Sequence, residues 1–186
     1  SMDNSSLVYD KDKTFAGDKI TLVSAKNSTV DWRSNVILNG QENVTFYLNG
    51  RKAGAALELK TAAGKTIILG NKSVGAYGVN GSSLTNNNAI NITSSGVGMA
   101  GFASASKLKT YGTDDKISSG TLLAADKVLE ITNNGTITVA GNGSIGLYGN
   151  TNDIAGTGLV LTSNGVISNN GKIVMTGDSG VGIVSE

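Results

Sequence analysis

The feature that most constrains this chain is that it repeats itself. Four stretches, GKTIILGNKSVGAYG (64–78), NAINITSSGVGMAG (88–101), GTITVAGNGSIGLYG (135–149) and GKIVMTGDSGVGIVS (171–185), share one plan. Each is a short β-rich run, a corner of Gly, Asn or Ser, and a second run built as small-apolar-Gly-apolar. A worn fifth copy is VTFYLNGRKAGAAL (44–57). The glycine of the second run falls at Gly54, Gly75, Gly98, Gly146 and Gly182, at intervals of 21, 23, 48 and 36 residues. The spacing reads the 48 as two units of 24, with a degenerate copy at TLLAA (121–125), and the 36 as one unit carrying about a dozen extra residues. Self-similarity at such a period is the mark of a solenoid, in which each unit stacks on its neighbours.

Two further sets of runs keep step with the first. One comprises Ile20–Val23, Val44–Leu48, Thr66–Leu69, Ile90–Ile92, a run near Ile117, Ile137–Val139 and Ile173–Met175. The other comprises Val36–Leu38, Leu57–Leu59, a run near Leu84, Val128–Ile131 and Val166–Ile167. Within the runs apolar residues alternate with polar or small ones, the period of a half-buried strand, and β-branched residues crowd them. Seven Asn-Gly pairs supply residues that take left-handed conformations at little steric cost. Such pairs also make hairpins, but a hairpin meander has no reason to keep a period of about 23 residues. The fold class expected is all-β: a single-stranded parallel β-helix of about 23 residues per three-sided coil, with like residues about 4.8 Å apart in adjacent coils. Residues 1–2 read as an expression scar, 3–19 as a lead-in or cap, and 20–186 as coils. Val97, Ile137, Ile145, Leu147, Ile173 and Val181 are the expected core.

Composition narrows the function. The chain contains no His and no Cys. That removes the commonest general base near neutral pH, thiol catalysis, disulfides and thiolate metal sites together. A net charge of +1 with no basic block argues against nucleic acid and anionic membranes. Aromatic residues are only 5% of the chain, so its core must be built from Ile, Val, Leu and Ala.

Two strings imitate catalytic motifs. Gly141, Gly143 and Gly146 spell a dinucleotide-binding turn, but that turn needs a helix after the glycines and an acid about 20 residues on. GVGMAG (96–101) has the same spelling at another unit, so the repeat generates it. GDSG (177–180) spells a serine-protease nucleophile at Ser179, but no His stands ready to take its proton, and Lys172 is the only lysine nearby. Both strings read as corners. Asp114-Asp115, the only adjacent acids, read as a solvated loop rather than a calcium site. Arg33 and Arg51 are the only arginines, and no acid recurs beside them as it does in polysaccharide-cleaving β-helices. No metal and no cofactor is expected. Triplets such as Asn27-Ser28-Thr29 are by-products of the composition.

The string N-x-G-[TK]-I-x-[VM]-x-G-[DN]-x-[SG]-[VI]-G-[IL]-Y resembles passenger domains of the large fusobacterial-type (type V) autotransporter adhesins, over roughly residues 44–186. The resemblance implies a secreted right-handed β-helix, displayed on the surface of a Gram-negative cell through a C-terminal outer-membrane barrel. It makes this chain an internal passenger fragment whose contact with the membrane runs only through that barrel. SVGAYG and SIGLYG are also similar to heads of trimeric autotransporter adhesins, which repeat at a shorter period. The function expected is that of a non-catalytic adhesin segment binding a protein or glycan on a host or partner bacterium. The alternatives are a trimeric adhesin head, a pure spacer and, more distantly, a β-helix polysaccharide lyase or hydrolase.

Candidate binding residues follow from the repeat. Tyr77 and Tyr148 point outward on one face, each beside a glycine, and form a platform for a sugar or a partner's side chain, or else shield the neighbouring coil. Units with Met99-Ala100 and Ile183-Val184 lack the tyrosine, so no continuous aromatic ladder is expected. The surplus in the 36-residue unit is assigned to GNTNDIAGTG (149–158), a loop beside Tyr148 carrying Asn150, Asn152 and Asp153. A stack with open strand edges is also expected to associate end to end.

Overall fold

The computed structural model describes residues 1–50, 59–79, 81–102, 129–150 and 165–186. Among them there is no helix; 19 short strands form three parallel sheets. The first sheet stacks β1 (Met2–Asp3), β4 (Thr21–Lys26), β7 (Val44–Asn49), β10 (Ser73–Val79), β13 (Gly96–Phe102), β16 (Ile145–Asn150) and β19 (Val181–Ser185). The second stacks β2 (Ser6–Tyr9), β5 (Thr29–Trp32), β8 (Leu59–Thr61), β11 (Ser83–Asn86), β14 (Glu130–Asn133) and β17 (Val166–Asn169). The third stacks β3 (Lys13–Phe15), β6 (Val36–Leu38), β9 (Thr66–Leu69), β12 (Ala89–Ile92), β15 (Thr136–Val139) and β18 (Lys172–Met175). The chain visits the sheets in strict rotation, so every third strand pairs in parallel with its own kind. This is the parallel β-helix that the repeat implies.

Residues 3–19, read as a lead-in or cap, supply together with Met2 a strand to each of the three sheets. Met2, Leu7, Tyr9 and Phe15 pack partly buried against the core.

The register revises the count of coils. Thr21 pairs with Val44 and Val74 with Val97, each 23 residues on. Val44 pairs with Val74, Val97 with Ile145 and Ile145 with Val181, at 30, 48 and 36 residues. The 48-residue interval is therefore one coil and not two, because β13 hydrogen-bonds directly to β16 with nothing between them. TLLAA (121–125) lies outside the described residues. Each surplus over 23 sits in the connection from first sheet to second. Residues 50–58, 103–129 and 151–165 stand where the early coils use Asn4-Ser5 and Asn27-Ser28. The corners between the other sheets stay short throughout.

That surplus also displaces the sequence alignment of the early coils. Spacing alone groups Ile20–Val23 and Val44–Leu48 with Thr66–Leu69, but they belong with Ser73–Val79 in the first sheet. Val36–Leu38 pairs with Ile67–Leu69 in the third. The residue opposite Gly75 is Thr45, and Gly54 lies outside the described residues.

The core is a set of stacked columns. Val30, Leu59, Leu84 and Ile131 form one; Val36, Ile67, Ile90 and Ile137 a second; Leu38, Leu69, Ile92 and Val139 a third; Phe46, Ala76, Met99 and Leu147 a fourth, all buried. Ile137 and Leu147 are fully buried as expected, and Ile173 packs partly buried against the cluster. Val97 and Ile145 are only half-buried, and Val181 is 46% exposed. The cause is a bend at the glycine that follows each of them. Gly98 and Met99, and likewise Gly146 and Leu147, are consecutive buried residues, so the period-two alternation breaks there and throws the preceding Val or Ile outward. A side chain at the bend has no room. A Cβ on Gly98 would press on Gly146 O and on Ile137 Cγ2, and one on Gly146 would meet Gly182 O and Ile173 Cγ2. The glycines let the first and third sheets close on one another at this corner.

Candidate functional site

On the first sheet the outward positions fall in columns that run along the stack. Just before the bend come Val44, Val74, Val97, Ile145 and Val181. Two positions past the bend come Ser24, Tyr47, Tyr77, Ala100, Tyr148 and Val184. At the strand ends come Lys26, Asn49, Val79, Phe102 and Asn150. Val44, Val74, Val97, Ile145, Tyr47, Tyr77, Tyr148 and Phe102 are all half-buried, yet none of them packs on the core. They are covered by one another.

Tyr77 and Tyr148 do lie on one outward face, as the repeat indicates, and the gap between them is filled. Tyr47 stacks on Tyr77 with ring centroids 5.7 Å apart and planes within 16°. Phe102 leans across from the neighbouring column over the small Ala100. It lies 5.5 Å from Tyr77 and 5.1 Å from Tyr148, tilted by 52° and 49°. The expectation of an interrupted aromatic row is therefore corrected: Tyr47, Tyr77, Phe102 and Tyr148 form a continuous ladder across four coils. It spans three steps of about 4.8 Å. The spacing hides Tyr47 because it assigns that run to the wrong sheet. It hides Phe102 because this ring fills the row from two residues further along its strand. Such pairs lie in the centroid range where aromatic rings attract beyond simple burial.

The ladder ends in a polar knot. Tyr148 Oη donates to Glu186 Oε2 (2.8 Å), and Asn150 Nδ2 donates to Tyr148 Oη (3.1 Å) and to Glu186 Oε2 (2.9 Å). Donation from the Asn150 amide favours the phenolate, while the bond to Glu186, desolvation and the Glu186 charge oppose it. The net shift of the Tyr148 phenol is upward. The Tyr77 phenol is raised too, first by desolvation and then by its neighbours Tyr47 and Tyr148. Asn150 and Gly149 belong to β16, so the loop expected at 149–158 starts no earlier than residue 151. Asn152 and Asp153 lie outside the described residues.

The catalytic look-alikes fall at corners. After Gly141 and Gly143, the latter at φ 64°, the chain enters β16 and not a helix. Ser179 sits exposed at φ 57° in the matching corner of the next coil. Asp114 and Asp115 lie outside the described residues. Among those described, no three His, Cys, Asp or Glu side chains converge as metal ligands would. Comparison with known proteins finds no matching family model, no matching curated protein and no matching solved structure.

Proposed function

We propose that this chain is a non-catalytic segment of a bacterial cell-surface adhesin, a repeat scaffold that presents the outer face of its first sheet to a protein or glycan on a host or partner bacterium. The observation that carries this reading is the ladder of Tyr47, Tyr77, Phe102 and Tyr148, flanked by the outward Val and Ile column. Outward apolar groups gathered into one elongated patch are the usual sign of a contact surface, whereas single exposed apolar residues are not. Rings add stiff contact area at low entropic cost, and the tyrosine hydroxyls with Asn49 and Asn150 supply polar groups at its edge. The resemblance of the repeat to autotransporter passengers supports the cellular setting. The absence of His and Cys from the sequence supports binding over chemistry.

A second reading, a spacer that holds a distal head away from the cell, is favoured by one observation. Tyr47 and Tyr77 turn their faces to each other, which strengthens the cohesion of neighbouring coils as well as it would serve a ligand. Cell-binding and glycan-array measurements separate the two. The adhesin reading expects the parent chain to bind and Tyr77→Ala with Tyr148→Ala to lose at least about tenfold in affinity while circular dichroism still reports the folded β stack. A parent chain that binds neither cells nor glycans leaves the spacer reading. A double variant that binds like the parent moves the contact off this face.

A further inference from the structure

Asn-Gly is the dipeptide whose side-chain amide is lost most readily, because an unhindered glycine nitrogen can close on the asparagine Cγ. The nitrogen must first be free of any hydrogen bond it donates. Five of the Asn-Gly pairs lie wholly within the described residues, and in four of them the glycine amide is tied to the adjacent coil. Gly50 donates to Val79 O (2.9 Å), Gly135 to Asn86 O (3.2 Å), Gly143 to Asp178 O (3.0 Å) and Gly171 to Asn133 O (2.9 Å). Three of the asparagine side chains are held as well. Asn134 Nδ2 donates to Asn87 Oδ1 (2.9 Å), Asn170 Nδ2 donates to Asn134 Oδ1 (3.0 Å), and Asn142 Oδ1 accepts from Asp178 N (2.8 Å).

Asn39-Gly40 differs at both reacting groups. Asn39 is exposed and its side-chain amide has no partner among the described residues, while the Gly40 N–H donates to nothing among them. At this corner the backbone N–H of Asn39 itself takes Phe15 O (3.1 Å), and Gly40 lies close against the Gly17 carbonyl.

We propose that Asn39 is a spontaneous deamidation site, the one Asn-Gly pair among these five that the coil stack leaves unprotected. The Gly40 nitrogen attacks Asn39 Cγ, a C–N bond forms, and ammonia leaves with the proton that nitrogen gives up. Water then opens the cyclic imide. Cleavage at the side-chain carbonyl gives an ordinary aspartyl residue in place of Asn39, and cleavage at the main-chain carbonyl gives the isoaspartyl linkage; no oxidant or reductant is needed. The aspartyl product adds a carboxylate to a corner that already holds Asp18 and Glu42. The isoaspartyl product lengthens the main chain where it has no slack: a Cβ on Gly40 would run into Gly17 O, and Gly70 N–H binds Leu38 O (3.2 Å) one residue before Asn39. Among the five described pairs, this corner between the third and first sheets is where the stack ages first.

The test is incubation of the folded 186-residue chain at mildly alkaline pH, followed by peptide mapping and isoaspartate quantification at each pair. Asn39 is expected to convert at least about tenfold faster than Asn49, Asn134, Asn142 and Asn170, since each of those must first open an inter-coil hydrogen bond. In denaturant the five should convert at similar rates. Asn39→Gln should abolish the earliest isoaspartate that peptide mapping finds among these five pairs of the folded protein. If Asn39 converts no faster than the other four in the folded chain, or if its lead persists unchanged in denaturant, the coil stack is not what selects it.

Discussion

A tyrosine on the outside of a sheet is ordinary until something covers it. Tyr77 is covered on both sides, by Tyr47 and Phe102, and its phenol is raised by that desolvation and by the neighbouring phenols. A raised phenol means that folding favours the neutral form. The associated stability is fully present below the ordinary tyrosine value of about 10 and is lost as pH rises through the higher folded value. Ultraviolet titration of the phenolate checks this. The step that Tyr77→Phe removes from the parent curve should lie above that of free tyrosine. A missing step that coincides with free tyrosine would show the ring to be open to water, with no ladder around it. The outward direction of Tyr77 and Tyr148 is legible from the Gly-apolar-Tyr spelling of their strands. The ladder is not. It depends on Phe102 crossing between columns and on Tyr47 arriving from a coil whose register is hidden by a connection of variable length.

At the scale of the element, the corner between second and third sheets shows how a polar residue becomes structural. Thr61 Oγ1 donates to Asn86 Oδ1 (3.0 Å), Asn86 Nδ2 to Asn133 Oδ1 (2.9 Å) and Asn133 Nδ2 to Asn169 Oδ1 (2.8 Å). A second, outer row runs the other way, with Asn170 donating to Asn134 and Asn134 to Asn87. In the two earliest coils the inner column holds Tyr9 and Trp32 instead, stacked at 4.4 Å. The sequence marks these corners as rich in Asn, which signals a turn. Only the stack reveals that the amides bond along the coil axis, since side chains 36 and 47 residues apart must be in register to meet. Asn133 is fully buried, and its Nδ2 also donates to Gly135 O (3.2 Å). Asn133→Asp would set a carboxylate against two acceptors, at a cost of several kcal/mol near neutral pH. Protonation removes most of that cost. The variant should therefore melt well below the parent at about pH 7, with the gap narrowing towards about pH 4, where a carboxyl begins to take up its proton. Equal melting temperatures at neutral pH would mean that the ladder contributes little.

Over the whole molecule, one corner absorbs the large irregularities. The strands of the third sheet and the bends of the first keep a nearly fixed coil, because every core column needs its partner about 4.8 Å away and a residue added inside a strand would turn the whole face outward. Length can therefore vary only between strands, and here the long excursions all fall between first sheet and second, at residues 50–58, 103–129 and 151–165, while the other connections keep to between 2 and 5 residues. The 23-residue period is legible because three of the inter-coil steps keep it; the 48-residue step is not, because a long connection and a missing coil look alike in spacing. The distinction can be tested. Replacing residues 103–128 with one residue ahead of the buried Leu129 restores the two-residue connection of Asn27-Ser28 and leaves β13 and β14 whole. Since each doubling of a loop costs only about 0.6 kcal/mol, shortening it about tenfold should stabilise the fold by about 2 kcal/mol at most. Thermal melts of this variant should match or exceed the parent, with the β-sheet signal kept. Ile137→Ala, which empties one core column, should cost about 2–5 kcal/mol in the same assay. A trimmed chain that melts as low as Ile137→Ala would show that residues 103–128 hold the coils together as a missing coil would.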